Sequence, residues 1–287
     1  MRPADLISEK LLEPLGEGAL AFFAYIGGSG TLLFKTFLGF FTLPWGRWLV
    51  WMVMPWRWKQ LAADRRWILI ADQMSKVGVD SFPLVFLTAL FTGMVLALQS
   101  AYQLQKMSAE NYIGSLVALS MTRELGPVLT ALVITGRVGA AITAELGTMR
   151  VTEQIDALET LGTDPVNYLA VPRMVALLIM LPVLVIYADM VGILGGYLVG
   201  VYKLGITSSM YMNMTWDPLR IKDVLTGLFK AAVFAAIIAG IACHEGFETQ
   251  GGAEGVGRST TLSVVISFIL IITADCFFTA LFYFVFP

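Results

Sequence analysis

The sequence predicts an all-α, polytopic membrane protein. Five transmembrane helices follow one or more N-terminal interfacial or amphipathic helices, and a short surface helix lies between the second and third spans. Three observations carry that expectation. The 287 residues are 57% hydrophobic and only 14% charged, against about 45–50% and about 25% in soluble domains. Five apolar runs approach or exceed the roughly 20 residues needed to cross a hydrocarbon layer of about 30 Å. A three-turn amphipathic pattern with its own stop signals follows the second run.

In chain order, residues 1–80 form the N-terminal lead-in and 81–287 the membrane domain. The first eighteen residues carry Asp5, Glu9, Glu13 and Glu17 ahead of any apolar run. That matches neither a cleavable signal nor an Arg-rich, acid-poor transit peptide, so direct insertion into a membrane, most simply a bacterial inner membrane, is expected. Residues 19–43 are apolar but broken by Gly27, Gly28, Ser29, Gly30 and Lys35. Between Trp45 and Trp67 six tryptophans interleave with Arg47, Arg57, Lys59, Arg65 and Arg66, the chemistry of a helix lying at headgroup level. The rival reading makes 19–43 a sixth span.

The five spans are read at 81–103, 113–144, 173–201, 223–243 and 261–286. With the N-terminus inside, most of the Lys and Arg residues fall on the cytoplasmic side. That satisfies the positive-inside rule and puts the C-terminus on the periplasmic side. Charges within spans cost at least about 2.5–3.5 kcal/mol each near the bilayer centre, so they are paired or functional. Arg123, Glu124 and Arg137 interrupt the second span, Asp189 is the only charge of the third from Met174 on, and Asp275 the only charge of the fifth. Arg123 and Glu124 are adjacent, about 100° apart on a helix, and must each look to another element; Asp189 and Asp275 are candidate partners. Lys230, near the start of the fourth span, is read as snorkelling to an interface.

Small residues mark close helix approach. Gly192, Gly196 and Gly200 recur every four positions in the third span, with Gly195 beside them. Gly136, Ala140 and Ala144 form a second seam flanked by Gly139, Thr143 and Gly147. After the second span, Val151, Ile155, Leu158 and Leu161 make one apolar helical stripe, while Glu153, Gln154, Asp156 and Glu159 occupy the other faces. Gly162 suits the C′ position and Pro165 forbids continuation. A helix of about 148–162 cannot cross a membrane. It is an ordinary capped loop helix or a piece that inserts into a soluble subunit, and its acidic face suits the second.

The net charge of −2 gives no basic surface for nucleic acid. A single histidine, His244, and two cysteines, Cys243 and Cys276, in apolar surroundings offer no metal spacing, His-based triad or disulfide framework. The run from Gly252 to Ser259 has Arg258 where a phosphate-binding loop requires Lys, and no soluble strand precedes it. It is read as a flexible turn before the fifth span.

Several segments together resemble the MlaE-type permeases, the membrane subunits of ABC transporters that work with MCE proteins. They are ELGPVLTAL at Glu124–Leu132, GRVGAAITAELGTM at Gly136–Met149, EQIDALETLGTDP at Glu153–Pro165 and YLAVPR at Tyr168–Arg173. FTGMVLALQ at Phe91–Gln99 and GVGRSTTLSVV at Gly255–Val265 are also similar to the family. The resemblance implies a homodimer moving phospholipid or a related lipid between membranes. It further implies a separate cytoplasmic ATPase that uses the ATP, a STAS-type regulator in some systems, and an MCE-domain protein on the outer side. The acidic helix would be the coupling helix, with Glu145, Gly147, Thr148 and Met149 leading into the same contact as Glu153, Gln154 and Asp156. Gln99, Tyr102, Arg123, Glu124 and Asp275 would line the lipid cavity. Two other classes compete: an ion-coupled secondary transporter with a relay of Arg123, Glu124, Asp189 and Asp275, and an intramembrane lipid-modifying enzyme, for which no nucleophile, base or metal set is visible.

Overall fold

The computed structural model describes residues 27–32, 34–36 and 65–285. The tryptophan-rich stretch before Arg65 and most of the 19–43 run lie outside these residues. Among the described residues all regular structure is helical, and five helices are long and apolar enough to cross a membrane. The protein is therefore integral to a membrane.

An amphipathic helix α1, Arg65–Val77, leads through a short turn into the first span, α2, Phe82–Gln105. The second span, α3, occupies Glu110–Val151. It is built from three α-helical pieces separated by π-helical turns at Met121–Leu125 and Thr135–Gly139. The surface helix α4 is Gln154–Thr160. A third π-helical turn at Val166–Ala170 opens the third span, α5, Val171–Tyr202. A short helix α6, Ser208–Trp216, precedes the fourth and fifth spans, α7, Ile221–Phe247, and α8, Gly252–Val285.

The third span is the axis of the bundle. In its most apolar window 67% of residues are buried within the chain, against 11% for α8, so α5 is protein core and α8 offers its surface to whatever surrounds it. The glycines explain how α5 admits so many neighbours. Gly93 of α2 meets the Gly192 backbone, Gly195 meets Leu90, Gly196 lies against Val117, and Gly200 against the Tyr211 ring of α6. At each point a side chain would hold the helices apart. Pro182 lies inside α5 and removes one backbone donor. At the other end, Trp67, Ile70 and Met74 of α1 pack with Val171 and Val175. The end of the N-terminal lead-in is thus attached to the bundle, and the described helical residues 27–32 place Gly28 beside the His244 ring.

Within the single chain the second seam packs through its flanking row: Gly139 packs on Ile238, Thr143 bonds to Ala242 and Ser263, and Gly147 meets Thr249, while Gly136 faces open space and Ala140 is half-buried. Two sequence expectations change. The surface helix is shorter than its stripe suggests. Glu153 takes a left-handed backbone (φ 58°) that ends α3, and Gly162 (φ 74°) closes α4. Ile155 is buried and Leu158 packs on the core, but Val151 and Leu161 are exposed. Finally, Gly252–Ser259 is no turn but the first two turns of α8, so its amides are engaged in or start a helix instead of cradling a phosphate.

Candidate functional site

Proline in a helix leaves a carbonyl one turn earlier without its donor. Pro127 does this in the middle of α3, and the π-helical turn just before it widens the ladder further. Two carbonyls of that turn face α7: Thr122 O lies against Gly227, where any Cβ would collide with it, and Arg123 O accepts a bond of 3.2 Å from Lys230 Nζ. The helix break thus creates a demand for a donor, and a lysine from the neighbouring span supplies it.

Lys230 is the hub of a charge cluster. It is 1% exposed, and its ammonium also reaches Glu124 Oε2, Asp275 Oδ1 and Thr279 Oγ1, each at 2.8 Å. Thr279 in turn donates to both Glu124 carboxylate oxygens at 3.0 and 3.1 Å. The expected snorkelling of Lys230 is therefore wrong: two carboxylates and the orphaned carbonyl hold the ammonium inward. Beside this cluster Arg123 pairs with Asp223, Nε to Oδ1 at 2.8 Å and a terminal nitrogen at 2.7 Å. The other oxygen of Asp223 accepts the Arg220 amide and caps α7. Five charges from three spans are thus joined in two adjoining groups with formal net charge −1, while half of Arg123 and over a third of Glu124 stay exposed.

The depth of this assembly is set by the helix register. Arg137, the third charge of the second span, binds Ser81 Oγ at 2.6 Å and Lys76 O at 3.2 Å, with Asp80 at 3.5 Å. It is therefore level with the start of α2, at one membrane boundary. Arg123 lies ten residues beyond Ile113 and fourteen before Arg137, about 15 Å and about 21 Å along the axis at 1.5 Å per residue. The charge cluster therefore lies within the spans, in the half where α7 begins, since Asp223 is the third residue of α7 and Lys230 the tenth. An aromatic wall flanks it: Phe229, next to Lys230, meets Phe278 edge-on at 5.4 Å and Phe282 at 6.1 Å.

Of the residues proposed from the sequence, Arg123, Glu124 and Asp275 come together here. Gln99 and Tyr102 stand on the exposed side of α2, outside the hydrogen bonds of the cluster, with Lys106 over the Tyr102 ring at 4.2 Å. Asp189 joins neither Arg123 nor Glu124. It is buried against Gly126 on the other side of the π turn, and its Oδ1 makes no hydrogen bond among the described residues. Asp223, Lys230 and Thr279 were missed as partners, although Pro127 signalled that a donor was needed.

At the Arg137 end, the α3–α4–α5 hairpin holds the remaining candidates. Arg150 pairs with Asp156, and Glu145 with Arg173 at 2.8 Å. Thr148 is exposed and bonds only back to Ala144 O, and Met149 packs partly on the core. Glu153, Gln154, Asp156 and Glu159 all face outward.

A family description, Permease MlaE, matches residues 70–281, from within α1 to the end of the fifth span. The chain belongs to the MlaE permease family. Among curated relatives, the "Probable ABC transporter permease protein RP096" of Rickettsia prowazekii is 51% identical over 215 residues, covering 75% of this chain and 83% of the relative. A "Probable ABC transporter permease protein" of Synechocystis is 46% identical over 206 residues, 72% and 78% of the two chains. The "Intermembrane phospholipid transport system permease protein MlaE" of Haemophilus influenzae is 35% identical over 271 residues, 94% of this chain and 96% of the relative. This last similarity reaches into the N-terminal region that the family description leaves out.

Proposed function

We propose that this MlaE-family permease moves phospholipid, or a lipid of similar build, across the membrane on power supplied by a separate cytoplasmic ATPase that docks on α4. The observation that carries the reading is the cluster of Arg123, Glu124, Asp223, Lys230 and Asp275 within the spans. No soluble-core logic places five charges there, since each is costly in hydrocarbon unless used. Exposed Arg123 and Glu124 present a cation and an anion side by side, which suits the phosphate and amine of a zwitterionic headgroup. The Phe229, Phe278 and Phe282 wall suits its tails. The relative from Haemophilus, named for phospholipid transport, points to the same substrate class.

The ATPase reading rests on α4. It is held on the bundle by Ile155 and Leu158 and turns Glu153, Gln154, Asp156 and Glu159 outward beside exposed Leu161. That is a small acidic knob with an apolar tip, the shape of a helix seated in a groove of a soluble partner. Two copies of the chain would face each other across the open row of Gly136 and Ala140 and the little-buried α8, with an MCE-domain protein at the α6 end and, in some assemblies, a STAS-type regulator at the ATPase. In this arrangement the N-terminus is cytoplasmic and the C-terminus periplasmic.

Affinity purification of tagged chain from its native membrane tests the proposal. A P-loop ATPase and phospholipid should accompany the wild-type chain, and Glu153→Lys with Glu159→Lys should release the ATPase while the chain remains folded. Unchanged ATPase recovery from that variant would refute α4 as the docking element.

A further inference from the structure

The hairpin that carries α4 contains a buried charge that docking does not explain. Arg173, the third residue of α5, is 4% exposed, although it lies beside a hairpin whose α4 residues are mostly exposed. One terminal nitrogen donates to Leu169 O at 2.9 Å, within the π-helical turn that opens the helix. The other donates to Glu145 Oε2 of α3 at 2.8 Å. Its Nε has no hydrogen-bond partner among the described residues, and Glu145 is the one anion there paired with a guanidinium removed from water.

The positions of the two residues matter as much as the bond. Glu145 lies six residues before the end of α3 and Arg173 just after the start of α5, so their pair closes the base of the hairpin. Nearer its tip, Arg150 of α3 pairs with Asp156 of α4, and Asp164 holds the returning chain through the Val166 amide and the Asn167 side chain. On the bundle side, two residues from Glu145, Thr143 donates to Ala242 O of α7 and bonds Ser263 Oγ of α8. Force applied to α4 therefore meets a stitched tip, then one cross-brace, then the junction of three spans.

We infer that the Arg173–Glu145 pair is a positioning strut that makes α3 and α5 move as one lever when α4 is displaced. The inference rests on the reading of α4 as the ATPase docking element, and it changes the part assigned to Glu145: the carboxylate braces the lever and is not a contact with the partner. Without the brace, motion of α4 would bend the hairpin and dissipate before reaching the charge cluster. Energetic coupling between distant sites is carried by packed side chains, salt bridges and rigid elements of this kind.

The test uses the complex purified from native membranes through a tag on this chain. It is reconstituted in phosphatidylethanolamine–phosphatidylglycerol vesicles with a fluorescent phosphatidylethanolamine tracer, and lipid moved and ATP hydrolysed are measured together. Glu145→Gln should keep ATPase recovery near wild type and retain ATP hydrolysis. Lipid moved per ATP should fall about tenfold, inside the range typical of site-to-site coupling. The reversed pair, Glu145→Arg with Arg173→Glu, should restore most of that ratio, which a merely stabilising role of either side chain does not predict. Should Glu145→Gln not fold, Glu145→Asp carries the same test, because it keeps the charge and withdraws the carboxylate by one methylene. An unchanged lipid-to-ATP ratio overturns the strut. Loss of the ATPase from the Glu145 variant also overturns it and makes Glu145 a docking contact. If wild-type chain recovers no ATPase, the docking reading itself fails and the strut with it.

Discussion

Lys230 offers the sharpest test of how the charges within the spans are held. Its ammonium is 1% exposed and serves Glu124, Asp275, Thr279 and the Arg123 carbonyl. Replacing it with Met keeps most of the volume but takes the ammonium from two carboxylates and one carbonyl, leaving Glu124 only the Thr279 hydroxyl among the described residues. Breaking a buried ion pair from one side costs about 3–5 kcal/mol, whereas replacing every member by neutral groups of similar shape is often neutral or stabilising. Glu124 is partly exposed, which places the expected loss for Lys230→Met toward the lower figure, about 3 kcal/mol. Adding Glu124→Gln and Asp275→Asn should return stability to within about 1 kcal/mol of wild type, since the neutral side chains need no counter-charge. Unfolding by SDS in mixed micelles, monitored by near-ultraviolet circular dichroism, measures both. A loss below about 1 kcal/mol, or a triple variant no more stable than the single one, would refute the view of Lys230 as a charge hub. Lipid movement should be lost in the triple variant despite its recovered fold, which separates function from stability.

The same packing sets other outcomes. Asp189→Asn removes no hydrogen bond at Oδ1 and should change stability by less than about 1 kcal/mol in the same micelle titration; a larger loss would reveal a bond that the fold does not contain. Asp223→Ala deletes both the Arg123 partner and the cap on the Arg220 amide, and should cost about 1–2 kcal/mol by the cap alone. Gly195→Leu drives a side chain into the Leu90 backbone and should lower folded yield by overpacking worth about 1–3 kcal/mol or more. Gly136→Leu has open space in the single chain and should leave the protomer folded; loss of dimer in light scattering would place that row at the seam between copies, and an unchanged dimer would remove it from there.

Much of the architecture was legible because lipid makes simple demands. Five apolar runs became five membrane helices, and glycine repeats in the third span became the contacts on which Gly93, Leu90, Val117 and Tyr211 converge. The surface helix was legible in kind, since Gly162 and Pro165 mark its end unambiguously. Its start was not. A left-handed Glu153 divides what periodicity joined, and no residue preference announces that angle. The second seam was legible only as a pair of rows: both lie on one helix, and sequence spacing does not say which of them a neighbour within the chain takes.

The charge cluster shows the same division more plainly. Cost in hydrocarbon alone required Arg123, Glu124 and Asp275 to be satisfied by other groups, and that much the sequence determined. It could not name the groups, because Lys230 at a span's start reads equally well as a side chain reaching for the interface. Only the tertiary structure decided the matter. Pro127 and the π turn free carbonyls on one side of α3, Gly227 lets α7 close in on them, and the lysine one turn further along then lies within hydrogen-bonding distance of two carboxylates.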